Sequence, residues 1–148
     1  MNNKSISSKI LRIFAFSWIF LLGLFVASLL VKIDVPIIIP IFLAIITFGF
    51  AIIFGVGGFY YVEMSVEANK YLQVRYFNLS PIGRNFKAFN IDLDKFHNFE
   101  INKKGYFYFI NLFEKSERGV AKYPTIGMTA MTIKERNAYA EFLTTLKK

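Results

Sequence analysis

Two long apolar runs fill the first third of the chain, Ile10–Val31 and Pro36–Tyr61, with only Lys32, Ile33, Asp34 and Val35 between them. An apolar run of about 20 residues matches a hydrocarbon core roughly 30 Å thick at 1.5 Å of rise per helical residue, and helices of small soluble domains seldom stay apolar for so long. The pattern predicts two transmembrane helices, antiparallel neighbours joined by a tight tip. A secretory signal peptide is the rival reading of the first run. Its apolar stretch would be too long, no A-x-A-like cleavage site ends it, and a second span follows at once.

Small residues recur at helical spacing in both runs: Gly23 and Ala27 in the first, Thr47, Ala51 and Gly55 in the second. Such rows let backbones approach closely, so they are the expected packing face of the hairpin, although small residues are common in membrane helices that do not dock through them. Asp34 and Pro36 have the character of a helix start, a carboxylate for orphan N–H groups and a proline that loses nothing in a first turn. Pro40 must either bend the outer end or mark where the regular helix begins. Lys4, Lys9 and Arg12 precede the first span and Lys70 and Arg75 follow the second, against Lys32 beside Asp34 at the tip. The positive-inside rule then places both termini in the cytoplasm, as in a multi-pass protein of the cell (inner) membrane, with Tyr60 and Tyr61 at the inner interface.

Past Tyr61 the pattern changes from continuous to alternating. Val62, Met64 and Val66 alternate with Glu63, Ser65 and Glu67, and Leu72, Val74 and Tyr76 with Gln73 and Arg75, the period of a half-buried hairpin. Ser80-Pro81-Ile82-Gly83 reads as a turn. Phe89, Ile91 and Leu93, then Phe99 and Ile101, predict two further strands before a turn at Lys103-Lys104-Gly105. Tyr106–Phe113, YFYFINLF, is too short to span a membrane and rich in aromatic β-formers. It is expected as a strand covered on both faces, with an aromatic face resting on lipid or a partner as the alternative. A charged turn over Glu114–Gly119 and a short edge strand over Val120–Pro124 follow. Thr132-Ile133-Lys134-Glu135 then has the spacing of a capping box, and Tyr139, Phe142, Leu143 and Leu146 form one apolar stripe, so a C-terminal helix is expected over 133–147. The division is thus a hairpin over 1–61 and one small domain over 62–148.

Charge and composition narrow the chemistry. Of the 18 Lys plus Arg, 14 lie after Tyr61, as do 9 of the 10 Asp plus Glu, giving that domain a formal +5. A basic domain on an anionic leaflet is favoured by about 1 kcal/mol for each cation close to the surface. Arg75, Arg84, Lys87, Lys103 and Lys104, on the strands and turns after the second span, are the candidate contacts for lipid headgroups or a partner; a solvated basic surface is the plainer account of them. The basic residues are scattered and form no basic helix, which argues against nucleic acid. Cysteine is absent, which excludes thiolate chemistry. His97 is the only histidine, and Asp92 with Asp94 supplies too few acidic groups for an ordinary oxygen-ligated cation site. No catalytic set, metal site, cofactor or small-molecule substrate is expected, and no ionisable group sits at depth in either span to suggest transport.

A meander of some five to seven strands closed by one amphipathic helix, following a membrane hairpin without a linker, resembles the bacterial pleckstrin-homology-like (PH-like) membrane proteins. The resemblance covers roughly Val62–Leu146 and rests on the order of elements, on IDLDKFHNFEI at Ile91–Ile101 and on TIKERNAYAEFLTTL at Thr132–Leu146. It implies a membrane α-hairpin plus an α+β domain, a partly open antiparallel barrel plugged by the helix. It also implies an adaptor surface for a membrane-protein partner or a second copy, without enzymatic activity. Recognition of anionic membrane lipids is the alternative function.

Overall fold

The computed structural model describes residues 1–30, 36–80, 85–117 and 119–147. Among them are α1 (Lys4–Leu30), α2 (Ile38–Val56), strands β1 (Tyr60–Glu67), β2 (Tyr71–Asn78), β3 (Lys87–Asp92), β4 (Phe96–Lys104), β5 (Phe107–Ser116), β6 (Gly119–Lys122) and β7 (Ile126–Gly127), and α3 (Ile133–Leu146). Both α1, with 27 residues, and α2, with 19, are long and apolar enough to cross a membrane. Asp34 and the Pro81–Gly83 part of the expected turn lie outside the described residues.

Three boundaries differ from the hydropathy reading, each for a local reason. α1 starts at Lys4 rather than Ile10, because the serines and cations of its first turns disfavour bilayer but not helix. α2 starts at Ile38, so Pro40 falls in the first turn, where its missing N–H costs no intrahelical bond. At its other end α2 stops at Val56. Tyr60 and Tyr61 belong to β1 instead, since an apolar residue is equally at home in lipid and on a covered strand.

The hairpin does not pack through the meeting of two small-residue rows. Gly23, Ala27 and Gly55 are exposed, and a Cβ added at Gly23 or Gly55 would meet nothing within 4 Å. Ala51 is half-buried and Thr47 fully buried, its hydroxyl donating to the Leu43 carbonyl at 2.7 Å. The covered side of α1 follows Ser7, Phe14, Leu21 and Ser28, and on α2 it follows Pro40, Thr47 and Phe54, a repeat of seven that keeps one seam facing a partner helix. Aromatic rings fill that seam. Phe14 stacks on Phe54 with ring centroids 3.7 Å apart and on Phe50 at 5.1 Å. Gly23→Leu should therefore leave the unfolding free energy in detergent within about 1 kcal/mol of wild type. Meeting small-residue rows would instead make it strongly disruptive.

Strand pairing follows the alternation. β1-β2-β3 form one antiparallel sheet, with Tyr60 opposite Asn78 and Glu67 opposite Tyr71; β4-β5-β6 form a second, with β7 paired to β5. The inward set, among it Val62, Met64, Leu72, Val74, Ile91, Ile110 and Leu112, is fully buried between the sheets, each such side chain worth about 1.5–3 kcal/mol. The Tyr106–Phe113 run is covered on both faces only from Phe107 onward: Ile110, Asn111 and Leu112 are buried and Phe107, Tyr108 and Phe109 half-buried, whereas Tyr106, on the turn before β5, is exposed. α3 closes the core with Tyr139 and Leu143, and its capping box has both bonds, Glu135 N–H to the Thr132 hydroxyl and Thr132 N–H to the Glu135 carboxylate.

The extreme N-terminus joins this core, which periodicity did not suggest. The Met64 N–H donates to the Met1 carbonyl at 2.9 Å and the Asn3 N–H to the Val62 carbonyl at 3.3 Å. Asn3, 1% exposed, also donates its amide to the Tyr60 carbonyl at 3.0 Å and accepts the Val62 N–H at 2.9 Å. Residues 1–3 thus line the free edge of β1, and α1 rises from that edge.

Burial pushes the Tyr139 hydroxyl well above its ordinary value, helped by the nearby Tyr61, Glu135 and Glu63; it donates to the Val62 carbonyl at 2.9 Å. Burial, with the hydrogen bond to Glu114 and that carboxylate's charge, raises Tyr123 from 10.0 to about 12. Both groups hold their proton more tightly folded than unfolded. Stability is therefore full below about pH 10 and falls as pH rises toward 12, because only the unfolded chain ionises there. Melting curves in detergent at about pH 9 and about pH 11.5 should show this loss, and Tyr123→Phe should reduce it.

Candidate functional site at the hairpin junction

No linker separates the hairpin from the β domain, and glycines make the joint. Gly58, at φ 71°, takes a conformation that side chains resist. A Cβ on Gly127 would lie 2.5 Å from Gly58 Cα and closer still to its carbonyl oxygen. Here two backbones cross in contact. The Thr129 N–H donates to the Gly58 carbonyl at 3.2 Å, and the Leu79 N–H to that of Phe59 at 2.9 Å. Aromatic contacts run through the joint, Phe54 on Phe59 at 4.8 Å and Phe59 on Phe107 at 6.5 Å, and Asn78 reaches the Gly55 carbonyl.

The joint gives the domain a near end and a far end. Tyr60, Asn78, Lys87, Lys104 and Phe107 stand near the hairpin by register, whereas Glu67, Tyr71, Asp92, Phe96 and Glu114 stand far from it. The near end carries Lys4, Lys87, Lys103, Lys104 and Lys134 with Glu135. The far end mixes Glu67, Asp92, Asp94, Glu114 and Glu117 with Lys70, Lys95, Lys115 and Lys122 and comes close to neutral. Three apolar side chains project from the near end uncovered: Phe86 at 76% exposure, Tyr106 at 91% and Ile133 at 70%.

Two clefts open there. The first, about 350 Å³, is lined by Lys4, Ser7, Ser8 and Leu11 of α1 and by Tyr61, Phe77 and Leu79. The second, about 290 Å³, has Glu63, Arg75, Phe86 and Lys87 on its walls. Tyr61 and Phe77, a stacked cross-strand pair with centroids 4.9 Å apart, are common to both. The Tyr61 hydroxyl donates to the Glu63 carboxylate at 3.2 Å; burial and that carboxylate raise its pKa, against a smaller lowering by Arg75. No family model, curated protein or solved structure matches this chain.

Of the cations singled out in the sequence, the fold brings Arg75 and Lys87 to one cleft. Lys103 and Lys104 end β4, paired with Tyr108 and Phe107, rather than lying on the turn, which is Gly105-Tyr106; Lys103 Nζ stands 5.6 Å from the Tyr108 ring centroid. Arg84 lies outside the described residues. Asp92 serves its turn, accepting the Asp94 N–H at 3.1 Å, and His97 falls at a register shift in β4. Among the described residues no three His, Cys, Asp or Glu stand close enough to hold a metal ion. Sequence reasoning did not find Ser7, Tyr61, Phe77 or Phe86 as cleft residues, because pairing and packing, not periodicity, bring them together.

Proposed function

We propose that this chain is a non-enzymatic membrane-bound adaptor or accessory subunit, its hairpin holding a PH-like domain against the cytoplasmic leaflet of the cell membrane with both termini on that side. The observation that carries the reading is the linkerless glycine joint, which fixes the domain's height and orientation and leaves its far end directed at the aqueous phase. The partner is a membrane protein or a second copy of the chain. Affinity purification in mild detergent should recover a complex; recovery of the chain alone as a monomer contradicts the adaptor. A reporter fused after Lys148 should be active only in its cytoplasm-dependent form, and active alkaline phosphatase at that position refutes the orientation.

Recognition of anionic headgroups is the second reading, favoured by the near end, where exposed Phe86 and Tyr106 accompany Lys87, Lys103 and Lys104. Aromatic rings with adjacent cations suit a membrane interface, and exposed cations bind an anionic surface in a salt-dependent way.

A further inference from the structure

Ser7 is 2% exposed, and its hydroxyl has no hydrogen-bond partner among the described residues. A buried hydroxyl without a partner is costly, and two other hydroxyls of the hairpin avoid this by bonding to their own helix, Ser28 to the Phe25 carbonyl at 2.6 Å and Thr47 to that of Leu43 at 2.7 Å. Ser7 does not. It lines the first cleft instead, one turn from Lys4 and one turn from Leu11.

We propose that this cleft holds the glycerophosphate of a single anionic phospholipid, with the Ser7 hydroxyl and the Lys4 ammonium donating to the phosphate. The inference rests on the second reading, that the near end faces anionic headgroups. Leu11, Phe77 and Leu79 supply the apolar wall for the glycerol and the first acyl carbons. A volume of about 350 Å³ is at the small end for ligand sites, enough for a headgroup but not for acyl chains, which continue along α1 into the bilayer. Height agrees with this, since the cleft residues of α1, Lys4 to Leu11, all lie ahead of Arg12, beyond which α1 carries no charge. Glu63, held by the Tyr61 hydroxyl, offsets one of the two cations of the second cleft, Arg75 and Lys87, whereas among the described residues no carboxylate lines the cleft of Lys4 and Ser7, so the phosphate is assigned to the Lys4 side.

The test uses the full chain in nanodiscs of phosphatidylglycerol with phosphatidylcholine, released for native mass spectrometry, with retained lipid counted. Wild type should retain one phosphatidylglycerol, preferred over phosphatidylcholine by about tenfold, and Ser7→Ala and Lys4→Gln should each lower that retention by about tenfold. Ser7→Ala keeps the shape of the site, so its thermal midpoint reports folding independently. If Ser7→Ala melts higher and retains lipid as wild type does, the hydroxyl is merely an unpaired core group and the site is overturned. Equal retention of both lipids overturns it too, as does protection by glycerol phosphate alone, which would make the ligand a soluble phosphate. Lys103→Ala/Lys104→Ala tests the broader reading separately. It should weaken salt-resistant attachment of the near end to anionic vesicles and leave the retained lipid in place.

Discussion

Gly127→Ala is expected to cost about 3 kcal/mol or more, enough to detach the β domain from the hairpin or prevent folding. The added carbon would sit 2.5 Å from Gly58 Cα, and the atoms in its way are backbone, so no side chain can swing aside to make room. Gly58 cannot retreat, because its φ of 71° is set by the turn from α2 into β1 and its carbonyl accepts from Thr129. Relief would require β7 to leave β5, losing the Ile110 and Ile126 pairing that lies in the core. Thermal unfolding of the purified chain in detergent measures the loss. Gly105→Ala is the control: its φ of 60° resists a side chain but nothing lies within 4 Å, so about 1 kcal/mol is expected there.

Asn3→Ala should cost about 2–4 kcal/mol, the second large effect. The side chain satisfies two backbone groups of β1, the Val62 N–H and the Tyr60 carbonyl, and leaving each unpaired in a buried setting costs about 1–3 kcal/mol. Asn3→Asp keeps the acceptor but loses the donor and buries a charge, so it should be no better. Asn2 is exposed, and its side chain makes one long bond, accepting the Lys4 N–H at 3.4 Å, so alanine there should cost about 0.5 kcal/mol. Equal melting of the Asn2 and Asn3 variants would show that the N-terminal segment does not pair with β1.

The elements were legible where hydropathy has a strong period. Two long apolar runs gave the hairpin, alternation gave β1 and β2, and Thr132 with Glu135 gave the start of α3. Ends of elements were less legible, because Tyr60 and Tyr61 are apolar whichever side of the joint they fall on. The packing face of the hairpin was legible only at Thr47 and Ala51. Small residues permit close approach without requiring it, and the aromatic seam of Phe14, Phe50 and Phe54 looks like ordinary lipid-facing sequence until the helices are set side by side. Asn3 was silent because its role is to complete backbone bonds of a strand 59 positions away. Of the candidate site, Arg75, Lys87, Lys103 and Lys104 could be named from charge alone. Ser7 could not, since a serine near a helix start has many uses and only its burial without a partner marks it.

The central claim is that the near end of the β domain lies on the bilayer surface, and tryptophan quenching tests it most directly. In a Trp18→Phe background, which removes the chain's single tryptophan, Tyr106→Trp reports the near end and Lys70→Trp the far end. In vesicles, Tyr106→Trp should be quenched by lipids labelled at the headgroup and shielded from iodide, while Lys70→Trp should be open to iodide and insensitive to the lipids. If both positions are open to iodide and neither responds to labelled lipids, the domain does not rest on the membrane and the account fails.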